Sequence, residues 1–205
     1  MLVEMFDYII NVLMAVVLIV GGYQFYFFPQ RRPIRQAIEF SSRLDDKIPF
    51  MPQWVWIYSG LYYPVIILVV LTIDSFEKFN YTVFSFLLLL VFQLFFFFIL
   101  PVSTPKHWRE YSTTENIHTR FLAFVHKFDS STNSFPSMHV SVAMLCALHL
   151  DQNLVSAVGQ YSVIAFAFPV LIAISTLFTK QHYWIDLPAG AVLGWGVFEI
   201  YQMVH

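Results

Sequence analysis

Residues 81–100 read YTVFSFLLLLVFQLFFFFIL, twenty positions without a charged side chain. A helix rises about 1.5 Å per residue, so about 20 predominantly apolar residues cross the hydrocarbon core of a bilayer. The stretch therefore reads as a transmembrane helix, and the whole composition agrees with it. The chain of 205 residues is 58% hydrophobic and 12% charged, where soluble domains are roughly half apolar and a quarter charged. A soluble class is excluded.

Outward from this helix, comparable windows lie at 8–28 and 54–73. A shorter one starts near Ser137 and ends at Leu150, closed by Asp151-Gln152-Asn153. A fifth covers 154–178 with Pro169 inside, expected to kink it, and a sixth covers 182–203. The expectation is an all-α, polytopic membrane protein: a six-transmembrane-helix bundle with short interfacial helices, folded as a single domain over 1–205. No repeat or low-complexity linker divides the chain. Near the N-terminus stand Glu4 and Asp7 rather than basic residues, and no small-x-small site follows the first window, so that window reads as a retained anchor. Cys146 is the single cysteine, in an apolar helical stretch, and does not reveal a compartment.

Two loops carry amphipathic patterns. In 34–48, Ile34, Ala37, Ile38, Leu44 and Ile48 oppose Arg35, Glu39, Arg43, Asp45 and Asp46, as in a helix lying in the headgroup plane or one packed on the bundle. In the third loop, Ser112-x-x-Glu115 forms a capping box before Ile117, Phe121, Phe124, Val125 and Phe128, one face of a second short helix. With six spans, ten of the eleven Lys and Arg fall on one side and Lys78 alone on the other. The positive-inside rule makes the crowded side cytoplasmic, with the plasma (inner) membrane as the expected location.

That basic side also holds the chemistry. Ser137 and His139, within SFPSMHVS at 134–141, open the fourth window. Free N–H groups and the positive dipole end at a helix start favour an anion such as phosphate. Pro136 is expected in the first helical turn, where its missing N–H is harmless. The plainer alternative is a capping serine and an interfacial histidine. His182 and Asp186, four apart, stack on one helical face. Asp186 can accept the Nδ1–H of His182 and leave Nε2 as a nucleophile. Continuing by fours gives Gly190 and Gly194, a face suited to close helix packing.

Pro-Ser-x-His, then Ser175, six residues, His182, three residues and Asp186, beside membrane spans, resembles the type 2 phosphatidic acid phosphatase superfamily. FDSSTNSFPSMHVS and STLFTKQHYWIDLPAG resemble more narrowly the branch with inositol phosphorylceramide synthases. The motifs lie within 101–190. The resemblance implies a lipid phosphate phosphatase in which His182 becomes a phosphohistidine, Asp186 orients it, and His139 is general acid and then base. Ser137 would hold phosphate oxygens. No metal and no cofactor is implied. The partners implied are a lipid phosphate substrate and the bilayer, with no nucleic acid, and the oligomeric state stays open. If the acceptor is an alcohol rather than water, the same chemistry gives a phosphotransferase. A non-catalytic lipid-binding protein is the remaining alternative.

Two departures from the family pattern select further candidates. The family's Lys, six residues, Arg-Pro is absent, with Phe25 standing where the Lys would be, six intervening residues ahead of Arg32-Pro33. After the third span comes LPVSTPKHWRE, which makes Lys106 and Arg109 the candidate phosphate cations, or else interfacial anchors. Thr176 stands where an Arg usually follows the third motif's Ser, and Lys180, one turn on if the helix continues, is the candidate replacement. Met138 stands where the family usually has Gly between Ser and His. The other histidines lack metal-like spacing: His107 lies near the site, and His118, His126, His149 and His205 read as interfacial or solvated. Tyr183 and Trp184 read as interface-belt aromatics or as lining for a lipid entry path.

Overall fold

The computed structural model describes residues 2–40, 42–112 and 116–204, with side chains described except those of 2–8 and Tyr23. It is 77% helical. Helix α1 spans Leu2–Arg31 and α2 Arg43–Lys47. A π-helical turn, Trp56–Leu61, leads into α3, Tyr62–Leu71. Then come α4, Phe76–Ile99; α5, Ile117–Phe128; α6, Met138–Val158; α7, Ala167–Phe178; and α8, Asp186–Val204. Two short strands, β1 (Ile38–Glu39) and β2 (Val102–Ser103), pair in parallel.

Among the described residues, four helical stretches are long and apolar enough to cross a membrane: Ile9–Arg31, Pro52–Leu71, Phe76–Ile99 and Met138–Phe178. The expected count of six is not supported. Two of the expected spans share the last stretch of 41 residues. Within it the chain leaves α6 at Gly159, with φ of 57°, passes through a 3-10 segment (Gly159–Phe166) and packs back on α6 as α7. A positive φ is natural to glycine. Helix α8 is outside the four because its glycines, Glu199 and Gln202 dilute its apolar content.

Helix α4 shows how a membrane helix inverts the soluble pattern. Its buried residues, Phe79, Thr82, Ser85, Leu89, Gln93 and Phe97, recur every three or four positions and include the polar ones. Phe84, Leu87, Val91, Phe95 and Ile99 face outward. Inward-facing polar groups find partners inside: Ser85 Oγ donates to the Thr82 carbonyl at 2.7 Å and Gln93 Nε2 to Ser141 Oγ at 2.7 Å, while Gln93 Oε1 is buried without one. Helix α6 sits centrally, packed on α3, α4, α7 and α8.

Several boundaries differ from expectation. Helix α6 runs through Asp151-Gln152-Asn153, because two of these polar groups find partners: Ser162 Oγ donates to Asp151 Oδ1, and Asn153 Nδ2 donates to Thr72 Oγ1 at 3.0 Å. Pro169 lies in the first turn of α7, where it breaks no hydrogen bond, so it is not a mid-span kink. Residues 34–48 are not one helix: Ile38 N–H is captured by the Pro101 carbonyl at 2.9 Å, and only Arg43–Lys47 winds up, capped by Ser42. The expected capping box depends on Glu115, which lies outside the described residues. Asn116 caps α5 instead, accepting from Thr119 N–H at 2.9 Å. On α5 it is Thr119 and Leu122 that are buried, while Ile117, Phe124 and Phe128 are exposed.

The loops at one end interlock. β1 pairs β2, Thr104 N–H donates to the Ser131 carbonyl at 2.8 Å, and Ser134 N–H donates to the Val102 carbonyl at 3.1 Å. The basic loops therefore meet at one end of the bundle, and Lys78, at the start of α4, stands at the other.

Candidate active site

Two helix starts form the centre of the site. Ser137 caps α6, its Oγ accepting from Val140 N–H at 3.4 Å, and His139 is the second residue of that helix. Pro136 stands before the cap, not in the first turn as expected, because the helix begins only at Met138. Asp186 is the first residue of α8, a position where the helix dipole favours a carboxylate. The Ser137 N–H donates to the Asp186 backbone carbonyl at 3.1 Å, so the two starts are joined.

His182 lies before α8, in the turn that follows α7, and not on the helix face expected for it, because the chain leaves α7 at Thr179 and does not rewind until Asp186. Its ring still meets Asp186: Nδ1 is 3.3 Å from Oδ2. A nearer partner is the carbonyl oxygen of Ser134, 2.8 Å from the same nitrogen. A carbonyl only accepts, so Nδ1 carries the proton and Nε2 presents a lone pair. Asp186 Oδ2 also accepts from Tyr183 N–H at 2.9 Å, which fixes the carboxylate. The rings of His139 and His182 face each other with centroids 5.9 Å apart.

Glycines make this approach feasible. A Cβ added at Gly190 would lie 2.5 Å from the Ser137 carbonyl oxygen, and one at Gly194 would lie 2.3 Å from that of Ser141. The close face expected from the spacing is present, and it sets α8 directly against the first turns of α6.

The candidate cations lie apart from the histidine pair. Arg109, half-buried, donates to the carbonyls of Asp129 at 2.6 Å and Ser130 at 2.9 Å, and to Gln181 Oε1 at 3.1 Å. It clamps the loop beside His182 at the rim. Lys106 is exposed. Helix α7 stops at Phe178, so Lys180 does not continue the Thr176 face. It sits at φ of 58°, buried, with Nζ donating to the Asp45 carbonyl at 2.7 Å and lying 4.7 Å from the centre of the Trp108 ring. Burial lowers the Lys180 pKa, and Asp45 and Asp46 partly restore it.

Other residues were misplaced or missed by the sequence reading. Tyr183 is fully buried, its hydroxyl donating to the Ser103 carbonyl at 2.9 Å, and is no belt residue; Trp184 is 40% exposed. His149 is fully buried, with Nε2 2.9 Å from Ser85 Oγ, and is not solvated. His126 meets Tyr111 and Gln181, and burial with Arg109 nearby lowers its pKa to about 3. His118 accepts from Trp56 Nε1 at 2.8 Å; His205 lies outside the described residues. The Ser134 carbonyl, Tyr58, Tyr62 and Asp129 had no signal in spacing, because loops and a different span bring them in. Among the described residues, no three His, Cys, Asp or Glu side chains are grouped to hold a metal ion.

A family model described as PAP2 superfamily matches residues 37–200. The chain belongs to the PAP2 superfamily. The match covers both histidine motifs and leaves all of α1 outside. PAP2 membership supports a phosphatase-type enzyme in general terms. An uncharacterized protein of Methanocaldococcus jannaschii is 30% identical over 78 residues, covering 38% of this chain and 30% of that protein. The matched segment is thus less than a third of that relative's length. No solved structure matches.

Proposed function

We propose that this PAP2 protein is an integral membrane phosphatase that cleaves the phosphomonoester or pyrophosphate of a lipid through a phosphohistidine, without a metal. The observation that carries the reading is the forced tautomer of His182, with Nδ1–H held by the Ser134 carbonyl and Nε2 turned into a nucleophile across from His139. His182 Nε2 attacks phosphorus as the bond to the lipid oxygen breaks, and His139 gives that oxygen its Nε2 proton. Water then attacks the phosphohistidine, His139 takes the water's proton, the N–P bond breaks and inorganic phosphate leaves. Ser137 and the first-turn amides of α6 stand where charge develops on the phosphate oxygens. Lys106 supplies positive charge at the rim, Arg109 clamps the loop beside His182 there, and Lys180 supports the turn that holds His182.

An apolar cavity of about 130 Å³ supports a lipid as substrate. It runs between α1, α3, α4 and α6, from Tyr62, Gln93 and Met138 at the site end to Ile73 and Phe79 at the other. Tyr62 lines the cavity and also packs on His139, with centroids 5.1 Å apart. The bilayer is the plasma (inner) membrane in this reading, with the site at the cytoplasmic face, supported by the basic residues gathered at that end.

The test is phosphate release by purified protein in detergent and chelator, over a panel of lipid phosphates, with His182→Ala as control. Release that is lost in the variant, together with an acid-labile, base-stable phosphoenzyme, is the expected result. Turnover only when an alcohol such as inositol is added would make the protein a phosphotransferase instead. Absence of any phosphoenzyme would leave a lipid-binding protein.

A further inference from the structure

We infer that Tyr58 and Asp129 form a positioning relay that holds His139, the general acid of the proposed reaction, in its working tautomer and orientation. The inference rests on the reading of His139 as an acid, and it adds two residues that no motif includes. Tyr58 is on the π-helical turn before α3, an irregularity frequent at functional sites. Its ring packs on His139 with centroids 4.3 Å apart and planes 31° from parallel, and Tyr62 covers the same imidazole from the next turn.

The polar contacts fix a direction. Tyr58 Oη donates to Asp129 Oδ2 at 3.2 Å. Its single proton is thereby committed, so towards His139 Nδ1, 3.5 Å away, the phenol oxygen acts as acceptor. Nδ1 therefore keeps a proton, and Nε2 is the nitrogen that gives or takes one at the substrate. Asp129 is itself held hard: Oδ1 accepts from Tyr26 Oη at 3.0 Å and Gln30 Nε2 at 3.1 Å, both on α1, and its backbone carbonyl accepts from Arg109. Tyr58 is 2% exposed, which shields the relay from water.

The groups around His139 are thus His182 with Asp186 behind it, Tyr58 and Tyr62 from the second span, Asp129 behind Tyr58, and Tyr26, Gln30 and Arg109 around Asp129. Asp129 is the carboxylate that reaches His139 through Tyr58.

The test uses the full-length protein and two substrates. With an alkyl lipid phosphate, whose leaving oxygen needs a proton, Tyr58→Phe and Asp129→Asn are expected to lower kcat by about tenfold, part of the usual worth of an acid, with KM little changed. With p-nitrophenyl phosphate, whose leaving group needs no proton, the first-turnover burst of nitrophenol is expected to stay within about twofold of the parent protein. Tyr58→Phe keeps the ring on His139, so a packing role alone predicts no loss. Equal losses on both substrates, or no loss on either, overturn the relay. If the parent protein turns over neither substrate, the phosphatase reading fails by itself, and the relay is judged from imidazole ¹⁵N shifts. A His139 Nδ1–H tautomer that weakens in Tyr58→Phe supports it, and identical spectra overturn it.

Discussion

Ser137 N–H donates to the carbonyl oxygen of Asp186 at 3.1 Å, so one backbone hydrogen bond ties the helix that begins beside His139 to the helix that begins beside His182. Whatever separates α6 from α8 also separates the two histidines. The contact exists because glycine lines the α8 side.

Gly190→Ala is therefore expected to damage the site more than Gly194→Ala, although both meet backbone. The first pushes on the Ser137 carbonyl, at the turn that carries His139, and the second on Ser141, one turn deeper. Overpacking costs about 1–3 kcal/mol, so both should lower Tm in detergent. Turnover should fall further in Gly190→Ala than its Tm loss explains, and equal ratios of activity to stability in the two variants would argue against this.

Asp186→Asn separates two supports of His182. The Ser134 carbonyl still accepts the Nδ1–H, so the tautomer survives, and the amide oxygen can still accept from Tyr183 N–H. What is lost is the negative charge facing the ring as it becomes cationic on phosphorylation. A fall in kcat of roughly a hundredfold, smaller than that of His182→Ala, is expected, with phosphoenzyme still detectable by trapping. Loss as complete as in His182→Ala would mean that Asp186 also sets the tautomer.

Much of this arrangement was legible in the sequence. Long uncharged windows identified four stretches able to cross a membrane, though not the six expected, and the spacing of Gly190 and Gly194 identified a close helix face. Two failures share one cause. Helical spacing was extended over His182 and over Lys180, but the chain between Phe178 and Asp186 is a turn held by tertiary bonds, from Lys180 to the Asp45 carbonyl and from His182 to the Ser134 carbonyl. Partners 135 and 48 residues away leave no periodic trace. Similarly, Asp151-Gln152-Asn153 looked like a helix end because its partners, Thr72 and Ser162, could not be foreseen.

Arg109 can be tested as a loop clamp against a phosphate cation. Its guanidinium spans the Asp129 and Ser130 carbonyls and Gln181 at once, a fork that a lysine ammonium does not reproduce. Arg109→Lys is expected to behave nearly like Arg109→Ala in both Tm and kcat. Rescue of KM by lysine, with Tm still low, would assign the charge to phosphate binding instead.

If a lipid chain lies in the cavity between α1 and α4, filling that space should change the preferred chain length. Gly22 lines it, and a Cβ there meets only Leu90, at 3.9 Å. Gly22→Leu therefore starts from an unobstructed Cβ and is expected to reduce the cavity. KM for long-chain lipid phosphates should rise severalfold while short-chain substrates and kcat change little, as uniform binding loss requires. Unchanged KM across chain lengths would place the hydrocarbon elsewhere.

His126 gives stability a pH dependence whose sign is fixed. Burial, reinforced by Arg109, lowers its pKa from 6.5 to about 3 in the folded protein, so between those values the unfolded chain binds a proton that the native one does not. Stability then rises with pH across this window and is lost as pH falls below about 6.5, at up to about 1.4 kcal/mol per pH unit for one proton. Asp45, whose pKa burial raises, acts in the opposite sense, so only the difference between proteins isolates His126. His126→Gln keeps hydrogen-bonding capacity towards Tyr111 and Gln181 without a titrating ring. Tm measured from pH 7 to pH 4 should fall less steeply in this variant than in the parent, and parallel curves would show that folding does not lower the His126 pKa.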